Sequence, residues 1–243
     1  MGKRINKILY SLLVLIFIPK FAYAMHIAEG FLPPAWSLSY FLLCLPFTYL
    51  GIKDIRKKAN ITKDMKLFIS LAGAYCFILS ALKLPSFTGS SSHPTGIGFG
   101  AITLGPFVMT IIGLIVLLFQ ALFLAHGGLT TLGANTFSMA VVGPIVSYLV
   151  YKCFKNKKLG IFFASALGNL ITYMVTATQL AIAMPSKTGG ILGAWTKFMS
   201  IFAVTQIPLA IAEGILTVLM FNVIEKYSKT ELDALRGEVF YGK

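Results

Sequence analysis

The chain has 243 residues, of which 57% are hydrophobic and only 12% are charged, and its formal net charge is +13. A soluble domain carries about 25% charged residues, so this composition, with a mean hydropathy of +0.81, indicates a polytopic membrane protein. A nucleic-acid-binding function is excluded because the basic residues lie in a few blocks between apolar runs and no aromatic–basic pattern accompanies them.

The N-terminus has the features of a secretory leader. Residues 2–7 are basic, and residues 8–18 are apolar but too short to span a bilayer comfortably. Ala22-Tyr23-Ala24 is a small–x–small cleavage signature, so we predict a cleaved signal peptide over residues 1–24. Cleavage lowers the net charge from +13 to +9 and makes Met25 the first residue, outside the cytoplasmic membrane. An uncleaved signal anchor is the alternative.

Five apolar stretches of the remaining chain predict transmembrane helices: 34–52, 66–83, 136–152, 159–184 and 197–224. The membrane domain is thus expected over residues 25–224, followed by a cytoplasmic tail at 225–243 whose helical extension frays in water. Three cysteines without C-x-x-C spacing suggest no disulfide framework. Cys44 and Cys76 are expected to be small core residues, because both fall within apolar runs.

The segment 97–125 is interrupted at Gly105-Pro106 and is too short for two full spans, which need about 40 residues. Lys and Arg cluster at 53–66, at 152–158 and after 226, so these segments are predicted to be cytoplasmic. With these segments in the cytoplasm, the segment 97–125 must enter the membrane from one face and return to the same face. A short helix, a break and a longer helix would satisfy both constraints, although the sequence leaves open whether one or two helices form. The predicted fold is an all-α polytopic membrane protein of about seven helical segments.

The chain has three histidines, His26, His93 and His126, and this topology places all of them at the outer face. Each lies in a Gly-, Ser- or Thr-rich loop between helix ends. Irregular backbone of this kind can fold inward between helices where protein buries it. The three histidines are therefore candidates for one buried site.

A histidine in the second position of the mature chain can chelate a metal. The Met25 amine, the His26 amide nitrogen and the His26 imidazole Nδ1 would form two fused rings, and His93 is the best candidate for a fourth nitrogen. Such nitrogen ligation favours late divalent metals over Mg²⁺ or Ca²⁺. Pro94 would stiffen the His93 loop, and the hydroxyls of Ser91, Ser92 and Thr95 would hydrogen-bond around it. The alternative for His93 is a loop histidine bonded to backbone carbonyls.

Three further polar residues each have alternative roles. His126 ends a predicted outward-running helix, whose dipole favours the imidazolium, so we expect it beside the ligands rather than among them. A ligand or a simple helix-end residue are the alternatives. Glu29 would offset metal charge or solvate its loop. Glu213 is an acid inside an apolar span, which is costly and favours a function, with a hydrogen bond to Gln206 or Asn169 as the alternative.

Enzymatic motifs are absent from the sequence. It contains no G-x-x-x-x-G-K-[ST], no H-E-x-x-H and no nucleophile elbow. The chain is therefore not expected to have an ATPase of its own.

Three stretches resemble one family: MHIAEGFLPPAW, SSHPTGIGFGA and LLFQALFLAHGGLTTLGANTFSMAVVGP. They are similar to the CbiM type of substrate-specific component of energy-coupling-factor transporters, which import cobalt, and the similarity runs from Met25 to about Asn222. The resemblance implies seven helices with the N-terminal segment folded into the core, and metal ligation by Met25, His26 and His93. It also implies a CbiQ-type membrane coupling component, two cytoplasmic CbiO-type ATPases and a small CbiN-type accessory membrane subunit.

The expected function is capture of Co(II) outside a bacterial cell membrane and its delivery for cobalamin biosynthesis. Ni(II) is the alternative cargo, because nickel relatives share the ligands, although they often have M-H-I-P-D-G where this chain has MHIAEG. An intramembrane metalloenzyme, with Glu29 as its acid or base, is a minor alternative that needs an open coordination position. A purely structural subunit would bind no metal.

Overall fold

The computed structural model describes residues 23–24, 26–82, 84–85 and 90–241. Nearly all of the predicted leader, Met25 and Lys83 lie outside the described residues. The described chain forms eight helices: α1 Pro34–Lys58, α2 Met65–Ala81, α3 Ile97–Leu104, α4 Pro106–Phe123, α5 Leu132–Cys153, α6 Lys157–Ala183, α7 Gly190–Tyr227 and α8 Lys229–Tyr241. Five of them are long and apolar enough to cross a membrane. The predicted all-α, multi-pass class is therefore confirmed.

The interruption at Gly105-Pro106 separates two helices. Gly105 has φ 87°, a left-handed conformation that favours glycine, and Pro106 occupies the first turn of α4, where its missing N–H costs nothing. Helix α3 has eight residues, about 12 Å in length, and all of its residues are buried. Residues 97–125 therefore form a short helix and a longer one.

Contacts of α1 orient its neighbours. Near its beginning α1 packs at Phe41 against Gly133, close to the start of α5; near its end it packs at Gly51 against Phe107, at the start of α4. The Lys58 ammonium lies beside Gly105. Helix α4 therefore starts at the end of the bundle where α1 finishes, which is the return to one face that the charge pattern required.

Two helices begin at least four residues earlier than the sequence predicted. Helix α7 starts at Gly190 rather than 197, and its early turns contact α6, where Trp195 Nε1 donates to Thr178 Oγ1 at 3.1 Å. Helix α5 starts at Leu132 rather than 136 and widens into a π-helix over Thr136–Val142. Side chains of neighbouring helices donate to carbonyls of its first turn: Cys44 Sγ to Gly133 at 3.3 Å and Gln179 Nε2 to Ala134 at 3.1 Å.

The tail differs from the expected frayed extension. Helix α7 ends at Tyr227 and α8 turns back, so that Leu232 and Leu235 are buried in the main hydrophobic core with Leu104 and Phe99. Two buried leucines stabilise the docked helix by about 1.5–3 kcal/mol each relative to exposure.

Three short strands, which the sequence did not predict, join the N-terminus to the 84–96 loop. β3 (Ser90–Ser92) pairs in parallel with β1 (Tyr23–Ala24) and antiparallel with β2 (Leu84–Pro85). Ala24 lies opposite Ser91 in this register. The pairing therefore brings the chain before His26 alongside the chain before His93.

Candidate metal centre

The three histidines converge on one buried point. The ring centroids of His26, His93 and His126 are 4.8 Å apart in every pair, with interplanar angles of 63–67°. One ligand nitrogen from each ring lies within 4.8 Å of the others, and each residue is at most 2% exposed. Three nitrogens spaced evenly around one divalent ion at about 2.0–2.1 Å are at most about 3.6 Å apart, so an approach of about 1 Å between the rings would bring all three onto one ion.

His26 is placed by the backbone of its neighbour, Ile27. The Ile27 N–H donates to Asn135 Oδ1 at 2.8 Å, and its carbonyl accepts from Asn135 Nδ2 at 3.0 Å and from Thr131 Oγ1 at 2.6 Å. The Ile27 side chain packs in a small hydrophobic cluster with Leu32, Ala134 and Leu180. The start of α5 therefore binds the N-terminal segment by its main chain, and we call this contact the Asn135 hold.

Glu29 lies at the exposed edge of the same segment. Its carboxylate accepts from the Thr130 N–H at 3.1 Å, and the Thr130 hydroxyl accepts from the Gly30 N–H at 3.1 Å. Hydrogen bonding by Thr130 is the main cause that holds the pKa of Glu29 below its usual value. Gly128 passes so close to Glu29 that a Cβ would collide with its backbone. Glu29 thus ties two loops together.

His93 is oriented by the carbonyl of the residue that follows it. Its Nδ1 lies 2.8 Å from the Pro94 oxygen, and because a carbonyl only accepts, Nδ1 carries the proton. In the neutral ring, the lone pair available to a metal is then on Nε2. Ser92 Oγ, by contrast, bonds Thr205 of α7 at 2.8 Å. The Ser91 side chain lies outside the described part of the structure.

His126 points inward because of the turn that ends α4. Ala125 has φ 46°, and the His126 N–H donates back to the Gln120 carbonyl at 3.2 Å. This is a helix-ending turn with alanine in the left-handed position that usually holds glycine. The turn reverses the chain, and the imidazole meets the other two. The sequence analysis placed His126 beside the ligands; in the structure it is as close to the centre as His26 and His93.

Glu213 lies behind the His93 loop. It is fully buried in α7 and accepts from Asn169 Nδ2 of α6 at 2.6 Å, as the hydrogen-bonding alternative expected. It also accepts hydrogen bonds from Thr95 and Gly96, two contacts that the sequence did not predict. No motif signals either contact, because nearly half of the chain separates the partners.

The chemistry of the centre follows from its donors. Among the described residues, the group that could hold a metal ion consists of three imidazoles and no carboxylate. Imidazoles suit Co²⁺, Ni²⁺, Cu²⁺ or Zn²⁺, whereas Mg²⁺ and Ca²⁺ prefer oxygen ligands. Met25 directly precedes His26 in the chain, so a free amine at Met25 and the His26 amide nitrogen could bind the same ion.

Comparisons with known proteins identify the family of this chain. Residues 26–231 match the family model of CbiM, the cobalt uptake substrate-specific transmembrane region. Relatives named cobalt transport protein CbiM include one from Clostridium tetani, 56% identical over 96% of this chain and 98% of its own length. Another, from Desulforamulus reducens, is 59% identical over 88% of this chain and 86% of its own length.

A solved crystal structure of a truncated transition metal transporter superposes with a TM-score of 0.72 at 24% identity, covering 83% of this chain and 99% of the other. At that identity the likeness concerns the fold alone. The family match extends over nearly all of the described residues, including the three histidines. The chain therefore belongs to the CbiM family of cobalt uptake substrate-specific transmembrane proteins.

Proposed function

We propose that this chain is the metal-capture component of an ATP-driven energy-coupling-factor importer that loads Co(II) outside the cell and delivers it for cobalamin biosynthesis. The observation that carries the proposal is the buried cluster of three imidazoles next to the predicted mature N-terminus. The chain works with a CbiQ-type coupling component, two CbiO-type ATPases and a CbiN-type accessory subunit. The mature N-terminus is outside and the C-terminus is in the cytoplasm.

The ion is held by the Met25 amine, the His26 amide nitrogen, the His26 imidazole and the His93 imidazole, and His126 presents a further nitrogen to the same ion. Cleavage after Ala24 creates the amine, so the leader must be removed before the site is complete. The tautomer fixed by the Pro94 carbonyl supports His93 ligation through Nε2. A metal binds the neutral form of an imidazole.

Ni(II) is the second candidate cargo, because the same nitrogen donors suit both metals. MHIAEG rather than M-H-I-P-D-G favours Co(II). A competition titration in which both metals are offered to the purified protein decides between them.

The test of the proposal is native mass spectrometry of the membrane-purified protein with and without Co(II). We expect a mass that begins at Met25 with one cobalt bound, less the displaced protons. His26→Ala and His93→Ala should lose high-affinity binding, whereas Lys187→Ala, at an exposed position outside the cluster, should bind normally. A retained leader with cobalt still bound would remove the amine from the site. Full binding by His93→Ala would remove His93.

A further inference from the structure

We infer that Glu213 is a positioning residue for the metal centre: it fixes the His93 loop to α6 and α7 and so sets the geometry of the His93 ligand. The inference rests on the proposed function, to which it adds a residue that contacts no ligand atom. Glu213 is fully buried and lies well inside α7, far from both helix ends at Gly190 and Tyr227.

Four donors converge on the two carboxylate oxygens. Oε2 accepts from the Thr95 N–H at 2.6 Å and from Asn169 Nδ2 at 2.6 Å, and Oε1 accepts from Thr95 Oγ1 at 2.8 Å and from the Gly96 N–H at 2.9 Å. Three of these bonds come from the two residues that follow His93-Pro94. A carboxylate is the side chain that can accept at all these positions, since it has about four lone-pair sites and no donor.

The backbone at Gly96 allows this convergence. Gly96 has φ 70°, a left-handed conformation, and a Cβ there would lie 2.9 Å from the Cα of Cys76. Its carbonyl accepts from Cys76 Sγ at 3.2 Å while its N–H points at Glu213. The loop is thus fixed from α2 on one side and from α7 on the other.

The carboxylate acts on the metal centre through a short path. The Thr95 N–H belongs to the peptide bond whose carbonyl, that of Pro94, orients the His93 ring. One peptide group therefore bonds Glu213 through its nitrogen and His93 through its oxygen. A shift of Thr95 toward or away from Glu213 moves the acceptor of His93 Nδ1, and the imidazole with it.

Burial of a carboxylate in a membrane protein is expensive, and a neutral amide pair could hold a loop at lower cost. Charge-assisted hydrogen bonds are shorter and stronger than neutral ones, which gives a stiffer loop. Outer partners of metal ligands typically change metal affinity about 10- to 100-fold when they are mutated. Glu213 lies one peptide group beyond such a partner, since it bonds the peptide that bonds His93, so its effect is expected at the lower end of this range.

The experiment compares Co(II) affinity and the visible absorption spectrum of bound Co(II) in the purified full chain. Glu213→Gln presents an amide N–H₂ to N–H donors, so we expect the Co(II) affinity to fall about tenfold and the spectrum to change. Thr95→Val, which removes one hydroxyl donor, should lose affinity several-fold, and Thr95→Ser should recover it. Thr110→Val, a buried threonine on α4 whose hydroxyl bonds its own helix at Pro106, is the matched control.

A second measurement needs no metal. In the metal-free chain, the amides of Thr95 and Gly96 should exchange hydrogen faster in Glu213→Gln than in wild type, whereas those of α5 should not. The double variant Glu213→Gln with Thr95→Val should lose little more Co(II) affinity than Glu213→Gln alone, because both substitutions remove the same contact.

The outcomes separate the two proposals. Wild-type affinity, spectrum and amide exchange in Glu213→Gln would overturn the positioning role, as would a loss of thermal stability with an unchanged Co(II) spectrum. If Glu213→Gln does not fold, an unchanged spectrum and affinity in Thr95→Val would overturn it instead. If wild type binds no cobalt, the proposed function fails, while the amide exchange still decides whether Glu213 fixes the loop.

Discussion

The two loops that bring His26 and His93 together are held in different ways. The His26 segment is bound by neutral groups, since Asn135 and Thr131 pair with both backbone groups of Ile27. The His93 loop is bound by an acid, since Glu213 accepts from two consecutive residues of the loop and from α6. One hold uses amide and hydroxyl groups at a helix start, and the other uses a carboxylate at mid-helix.

The difference has a physical reason. Ile27 presents one N–H and one carbonyl to the start of α5, and the Asn135 amide and the Thr131 hydroxyl match this pair without any charge. The His93 loop presents two consecutive N–H groups and a hydroxyl, all of them donors, in a buried position where acceptors must come from the protein itself. An unsatisfied buried N–H costs about 1–3 kcal/mol, so the interior position needs one acceptor that serves several donors. A carboxylate meets that need.

The largest expected effect comes from displacing the Met25 amine while the contacts made by Asn135 and Glu213 stay intact. One residue inserted between Ala24 and Met25, with cleavage still after Ala24, displaces the amine from the His26 chelate. We expect loss of high-affinity Co(II) binding, measured by titration of the purified mature protein. The N-terminal mass verifies the cleavage site. Wild-type affinity in this variant would show that the amine is not a ligand.

The second prediction concerns a substitution that removes the contact of Asn135 with the Ile27 backbone. Asn135→Leu leaves the Ile27 N–H buried without its acceptor, which costs about 1–3 kcal/mol, and a loss of that size corresponds to about 5- to 150-fold in Co(II) affinity. Thr131→Val removes only one of two donors to the Ile27 carbonyl and should cost less. Hydrogen exchange should increase at Ile27 in Asn135→Leu but not at Thr95, the reverse of the Glu213→Gln pattern. If exchange increased equally at Ile27 and Thr95 in Asn135→Leu, the contacts of Asn135 and Glu213 would not be independent of each other.

The smallest expected effect concerns the exposed edge. Because the folded-state pKa of Glu29 is lowered, its contribution to stability is present above the pKa of the unfolded chain and is lost as pH falls through the folded value. Protection of the Thr130 amide should therefore stay constant from neutral pH to about pH 5 and decrease only below about pH 4.5. Glu29→Gln should remove this pH dependence. A change already near pH 6 would implicate a histidine instead.

Much of the fold was predictable from the sequence. The break at Gly105-Pro106 followed from charge and length, because basic blocks specify a face and the segment 97–125 is too short to span twice. The Asn169–Glu213 bond was weighed as an alternative, since an acid in an apolar span needs a donor. The π-helix in α5 and the early start of α7 were not predicted, because no local pattern in the sequence signals either of them.

The candidate site was predictable in part. His26 and His93 were paired because the chemistry of an N-terminal chelate needs a fourth nitrogen. The direction of His126 depends on the left-handed turn at Ala125, and alanine gives no sequence signal for that conformation. The contacts of Glu213 with Thr95 and Gly96 join positions that are distant in the chain, which no local pattern encodes.

The Asn135 hold has a consequence for how this protein can diverge. Asn135 and Thr131 bond the N–H and carbonyl of Ile27, groups that every residue except proline supplies. Neither contact depends on the side chains at Ala28 or Glu29. Substitutions at those two positions therefore leave the hydrogen bonds to the Ile27 backbone in place. Relatives of this protein can differ at the exposed edge of the site and still keep the contact that positions His26.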